Sequence, residues 1–80
     1  MTDPRVTLYS RPGCHLCDVA REVIVRVCDD LGEQWTEVDI DTDDALRDRF
    51  RDEIPVTFVD GRQHDFWRVD EQRLRAALRG

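Results

Sequence analysis

Residues 8–24 read LYSRPGCHLCDVAREVI, and their reading decides the fold. Two cysteines, Cys14 and Cys17, stand three positions apart where a strand-like run gives way to a helix-like one. Upstream, Val6–Ser10 (VTLYS) is a short β-favouring run that stops at the turn-forming pair Pro12-Gly13. From His15 the period changes. Leu16, Ala20, Val23, Ile24, Val27, Cys28 and Leu31 recur at steps of three and four, the stripe of an amphipathic helix, and Gly32 stands where a helix ends.

Working outward, QWTEVDID (34–41) alternates, with Thr36, Val38 and Ile40 set against Trp35, Glu37, Asp39 and Asp41. This predicts a strand with one buried and one solvated face. Asp41, Thr42 and Asp43 supply N-cap chemistry for a short helix through about Arg51, with Leu46 and Phe50 four apart on its inner side. IPVTFVDGRQHDFWRV (54–69) reads as two strands joined by the hairpin pair Asp60-Gly61. Asp70 can cap a last helix whose inner face is Leu74, Ala77 and Leu78.

The predicted order is therefore β-α-β-α-β-β-α. A strand-helix-strand unit of this length implies two parallel strands joined by a right-handed crossover. The hairpin adds antiparallel strands to the same sheet and the helices cover its faces, giving an α/β protein with a four-stranded mixed sheet.

The 80 residues suit one small domain, expected to span 1–80, with no repeat or linker. A net charge of −6 argues against nucleic acid or an anionic lipid surface as partner. No apolar run is long enough to span a bilayer, and MTDPR (1–5) lacks the features of a secretory signal, so a cytoplasmic location is expected. Nothing suggests an obligate dimer, and a monomer is expected. The three cysteines cannot all pair within the chain, and a disulfide framework is not expected in a reducing cytosol. All 12 basic residues are Arg, and Lys and Asn are absent. Both missing residues need AT-rich codons, which points to a GC-rich genome.

The cysteine pair points to redox chemistry. Cys14 falls just before the first helical turn, where unpaired N–H groups and the helix dipole favour an anionic sulfur. Cys17 matches the buried stripe. Cys14 is thus the exposed nucleophile and Cys17 the protected resolving thiol. Arg11, three residues before Cys14, and His15, directly after it, are candidates to stabilise the thiolate. A structural zinc site needs four ligands, and only His15, Cys28 and His64 are available besides the pair. Haem attachment wants His after the second Cys, where Asp18 stands. A disulfide within one helical turn closes too short a loop to stabilise much. Cys28 lies on the apolar stripe and reads as a packed thiol. Trp35 and Trp67 read as packing residues, and DIDTDDALRD (39–48) as a solvated cap. For Ile54-Pro55, X-Pro bonds are usually trans.

YSRPGCHLC followed by a helix, then EIPVTFVDG, then RVDEQRL opening the last helix, resembles the glutaredoxins of the thioredoxin-like superfamily, above all the short bacterial glutaredoxin-like proteins. The resemblance runs from about Val6 to Leu78 and implies a thioredoxin fold. It also implies that Pro55 is a cis-proline facing the cysteine pair and that Ile54 offers its backbone to an extended thiol or peptide. Arg11 falls where the family carries a glutathione-contacting Lys, and Val69 and Asp70 where it binds a γ-glutamyl end. His15 and Leu16 replace the usual Pro and Tyr between the cysteines, and FWRV stands where a Gly-Gly is usual.

The expected activity is that of a dithiol thiol-disulfide oxidoreductase using Cys14 and Cys17, with Arg11, His15, Ile54, Pro55, Val69 and Asp70 around the substrate. Its partners would be disulfide-containing proteins or small disulfides. Its reductant would be glutathione, mycothiol or a thioredoxin-type chain, with no bound cofactor or metal. Two other readings use the same residues: a redox-responsive binding module without turnover, and a thiolate metal or iron–sulfur carrier.

Overall fold

The computed structural model describes residues 4–79; the start of MTDPR (1–3) and residue 80 lie outside the described residues. Strand β1 (Val6–Ser10) leads into helix α1 (His15–Leu31), which returns to strand β2 (Trp35–Asp39). A 3₁₀ turn at Ile40–Thr42 and helix α2 (Asp44–Phe50) follow, then strands β3 (Val56–Val59) and β4 (Arg62–Phe66) and helix α3 (Glu71–Arg79). The four strands form one sheet in the order β2-β1-β3-β4, with β1 parallel to β2 and antiparallel to β3, and β3 antiparallel to β4. The order and the mixed α/β sheet are those read from the sequence.

Local chemistry explains the boundaries. Gly32, at φ 68°, ends α1 in the left-handed conformation, and the Glu33 N–H donates to the Cys28 carbonyl at 3.0 Å. Asp43 caps α2, its Oδ1 accepting from the Ala45 N–H at 2.8 Å. Asp39, not Asp41, caps the preceding turn by accepting from the Asp41 N–H at 2.9 Å. At the β3–β4 hairpin, Asp60 and Gly61 have φ of 53° and 82°, the pair of positive values that a tight two-residue turn needs.

The sheet separates two apolar layers. On one face Val6, Leu8 and Val59 meet Ala20, Ile24, Val27 and Cys28 of α1 and Leu74 and Leu78 of α3. On the other, Ile40, Phe50 and Val56 pack with Tyr9, Leu46, Ile54 and Phe58. Each fully buried side chain of this kind contributes about 1.5–3 kcal/mol. Tyr9, Phe50 and Phe58 form an aromatic cluster, with ring centroids 4.9 Å apart for the Tyr9–Phe50 pair and 5.3 Å for Tyr9–Phe58.

The simple alternation expected for β2 is corrected. Thr36 is exposed, whereas Trp35 packs against the α1–α3 core. β2 is an edge strand, so neither of its faces is fully covered, and Trp35 lies alongside Val6 in register. Glu37 is exposed, as the alternation implies, and accepts from Ser10 Oγ at 2.5 Å and from Arg21 Nη2 at 2.6 Å.

Candidate functional site

Strand register gathers the site at one end of the sheet. Tyr9 of β1 is paired with Val56 of β3, and Val56 with Phe66 of β4. The segments just beyond these residues must therefore meet: the Arg11–Cys14 loop, Ile54-Pro55, and Trp67–Asp70. Gly13, at φ 78°, turns the chain so that Cys14 becomes the N-cap of α1 in an extended conformation.

Cys14 is half-buried and Cys17 is completely buried. The Cys17 N–H donates to the Cys14 sulfur at 3.2 Å, so the sulfur itself acts as the helix cap. A 17-residue helix thus points its free amide groups and the positive end of its dipole at Cys14. Cys17 has the opposite environment. Burial pushes its thiol up to about 12, and the Cys14 sulfur adds to that shift, while the Arg11 backbone N–H and the Arg21 charge oppose it. All three cysteines are free thiols in this structure. Cys28 is buried among the core residues, and burial raises its thiol as well.

The other residues read from the sequence divide into two groups. Pro55 is buried and the Ile54-Pro55 peptide bond is cis. Ile54 packs on the Phe50 cluster, and its backbone N–H and C=O have no backbone partner among the described residues. Val69 packs against the α1–α3 core. Arg11, in contrast, turns to Asp41 at 2.8 Å, and the contact to Cys17 comes from its backbone rather than from its guanidinium. His15 is exposed at the first position of α1. Asp70 caps α3, its Oδ1 accepting from the Arg73 N–H at 3.1 Å, while its own N–H donates to Asp65 Oδ2 at 3.2 Å.

Two features escaped the sequence reading. Arg21 sits one turn beyond Cys17 and is held by Asp18 at 2.8 Å and by both oxygens of Glu37. Arg21 and Glu37 lie on different elements, so no local spacing links them. The second is a cavity of about 270 Å³ between α1 and the segment before α3, lined by Leu16, Val19, Ala20, Val23, Trp67, Arg68 and Val69. Trp67 is not a packing residue: it is 52% exposed. Its backbone takes the left-handed φ of 64°, its N–H donates to the Pro55 carbonyl at 2.7 Å, and its indole N–H donates to the Asp52 carbonyl at 2.9 Å. The departure of FWRV from glycine had marked this position in the sequence, though not the wall that it builds.

No helix among the described residues is long and apolar enough to cross a membrane. The family model for the Glutaredoxin-like domain (DUF836) matches residues 5–79. The uncharacterized protein Rv0508 of Mycobacterium tuberculosis is 38% identical over 98% of this chain and 86% of its own length. A crystal structure of protein XcR50 from X. campestris is 37% identical and superposes with a TM-score of 0.76, covering 92% of this chain and 95% of that one. A glutaredoxin from Archaeoglobus fulgidus shares the fold, with a TM-score of 0.65 at 17% identity over 96% of this chain and 88% of that one. With its cysteine pair at the head of α1 and a thioredoxin-like α/β sheet, the chain belongs to the glutaredoxin-like family.

Proposed function

We propose that this protein is a dithiol thiol-disulfide oxidoreductase that reduces protein or low-molecular-weight mixed disulfides. The family and fold support a thiol redox role. The observation that carries the finer reading is the asymmetry of the pair: a half-exposed Cys14 capping α1, and a Cys17 shut into the core one turn on.

In this reading the Cys14 thiolate attacks one sulfur of the substrate disulfide. A bond forms between the two sulfurs, the substrate S–S bond breaks, and the departing sulfur leaves as a thiolate that takes up a proton from water. Cys17 then loses its proton and attacks Cys14. The second substrate sulfur is released as a thiolate, and a Cys14–Cys17 disulfide remains. Two electrons have passed to the substrate, and an external dithiol or two thiols must return them.

Ile54, whose backbone N–H and C=O have no backbone partner among the described residues, is suited to hold an extended substrate next to Pro55 and Val69. Arg11 and Asp70 are engaged by Asp41 and by the Arg73 N–H, so a small thiol would have to displace those contacts to use them. The reading places the protein in the cytoplasm as a monomer, with glutathione, mycothiol or a thioredoxin-type chain as electron donor.

The test follows reduction of the Cys14–Cys17 disulfide by alkylation and intact mass in three tubes at matched potential. One contains glutathione, one mycothiol, and one thioredoxin with its reductase. Fast reduction in one tube establishes turnover and identifies the donor. Slow reduction in all three, or no disulfide under mild oxidant, overturns the enzyme reading in favour of a switch or a thiolate carrier.

A further inference from the structure

Beside the cysteine pair lies an apolar recess whose shape suggests what the substrate must carry. We propose that the cavity between Leu16, Val19, Val23, Trp67 and Val69 is a subsite for the apolar side chain flanking the cysteine of a peptide or protein disulfide, and that Trp67 sets this preference. The proposal rests on the reading of Cys14 as the attacking thiol.

Size is the first argument. At about 270 Å³ the cavity falls below the roughly 300–1,000 Å³ usual for whole small-molecule ligands, yet it has room for one large side chain. Chemistry is the second. Leu16, Val19 and Trp67 are 42%, 44% and 52% exposed, and all three line this one recess. Scattered exposed apolar residues carry no message, whereas a cluster around a concavity marks a surface that something apolar covers.

Continuity with the thiols is the third argument. Leu16 lies between Cys14 and Cys17 on α1, so one wall of the recess belongs to the cysteine motif itself. The opposite wall is tied to the Ile54-Pro55 segment, because the Trp67 N–H donates to the Pro55 carbonyl at 2.7 Å. An extended peptide lying beside Ile54, with its sulfur at Cys14, would run between these two walls, so that a residue flanking its cysteine lies against the recess.

Trp67 is what makes the recess. Its φ of 64° is a conformation that glycine adopts freely, so the backbone keeps a glycine-like path while carrying the largest side chain. The indole is fixed by its bond to the Asp52 carbonyl at 2.9 Å and by the edge contact with Phe66 at 5.0 Å between centroids. A wall held in advance can take up an apolar group with little loss of side-chain freedom.

The experiment uses the full chain with Cys17→Ser, which halts the reaction at the mixed disulfide, and reads its formation by intact mass. The substrates are short peptide disulfides that differ only in the residue next to cysteine, Phe or Leu against Ser, together with glutathione disulfide and hydroxyethyl disulfide. We expect the Phe and Leu peptides to react about tenfold faster than the Ser peptide. Adding Trp67→Gly or Val19→Ser should shrink that ratio below about threefold, while Trp67→Phe should keep most of it. Equal rates for all peptides, or a ratio unchanged in both Trp67→Gly and Val19→Ser, overturn the subsite. Hydroxyethyl disulfide is too small to fill the recess and separates the two readings. Its reaction without peptide discrimination removes the subsite alone, whereas its failure to react removes Cys14 as nucleophile. Circular dichroism of each variant identifies any that does not fold, and the other wall then decides.

Discussion

The backbone N–H of Cys17 donates to the sulfur of Cys14 at 3.2 Å, so the first turn of α1 is capped by the atom proposed to attack the substrate. A single hydrogen bond joins helix formation to chemistry. It holds the outer sulfur at the free amide end of the helix, while the inner thiol one turn on is fully buried.

That division of labour predicts opposite outcomes for two similar substitutions. Cys14→Ser should abolish disulfide reduction and form no mixed disulfide with any substrate. Cys17→Ser should react once and then hold the mixed disulfide, visible by intact mass without reductant. If Cys17→Ser accumulates no more adduct than the wild type, the assigned roles are reversed or absent.

The raised thiols predict a pH dependence of stability. Burial lifts Cys17 to about 12 from an ordinary 9.0, and it lifts Cys28 in the same direction. In reduced protein between these values the folded state keeps protons that the unfolded chain releases. Stability is therefore complete below the ordinary thiol value and declines as pH rises through the folded one. Urea midpoints of reduced protein should fall steadily from about pH 8 to about pH 10, and less steeply in Cys17→Ala. A flat profile in the wild type would sink the claim that these thiols are held neutral.

Trp67→Gly predicts a near-cancellation. A non-glycine residue in the left-handed region costs about 1–2 kcal/mol, which glycine relieves. Against this stand the edge contact with Phe66, worth about 0.5–1.5 kcal/mol, and the indole bond to Asp52, worth about 0.5–1.5 kcal/mol. Denaturation should find the variant within about 1 kcal/mol of wild type. A loss above about 3 kcal/mol would mean that Trp67 supports the fold rather than the recess.

How much of this was legible in the sequence depends on the range of the interaction. The period change at His15, the Gly32 stop, the Asp60-Gly61 turn and the Asp70 cap are local, and each was read at its place. Charge partners were not. Arg11 binds Asp41, 30 positions away, and Glu37, though exposed, holds Arg21 and Ser10. Trp35 packs as its size implies, but on the face opposite Val38 and Ile40, because alternation assumes one covered face and the edge strand β2 has two partial ones.

The sequence by itself determined the element order, the mixed sheet and the position of the cysteine pair at the head of a helix. Those properties follow from periodicity, turn chemistry and the free amides of a first helical turn. Only the tertiary structure decided which groups surround that pair. Antiparallel register along β1, β3 and β4 carries Ile54-Pro55 and Trp67 to the end of the sheet where Cys14 stands. Residues about 40 and 50 positions apart in the chain thereby become neighbours, and no local spacing encodes that meeting.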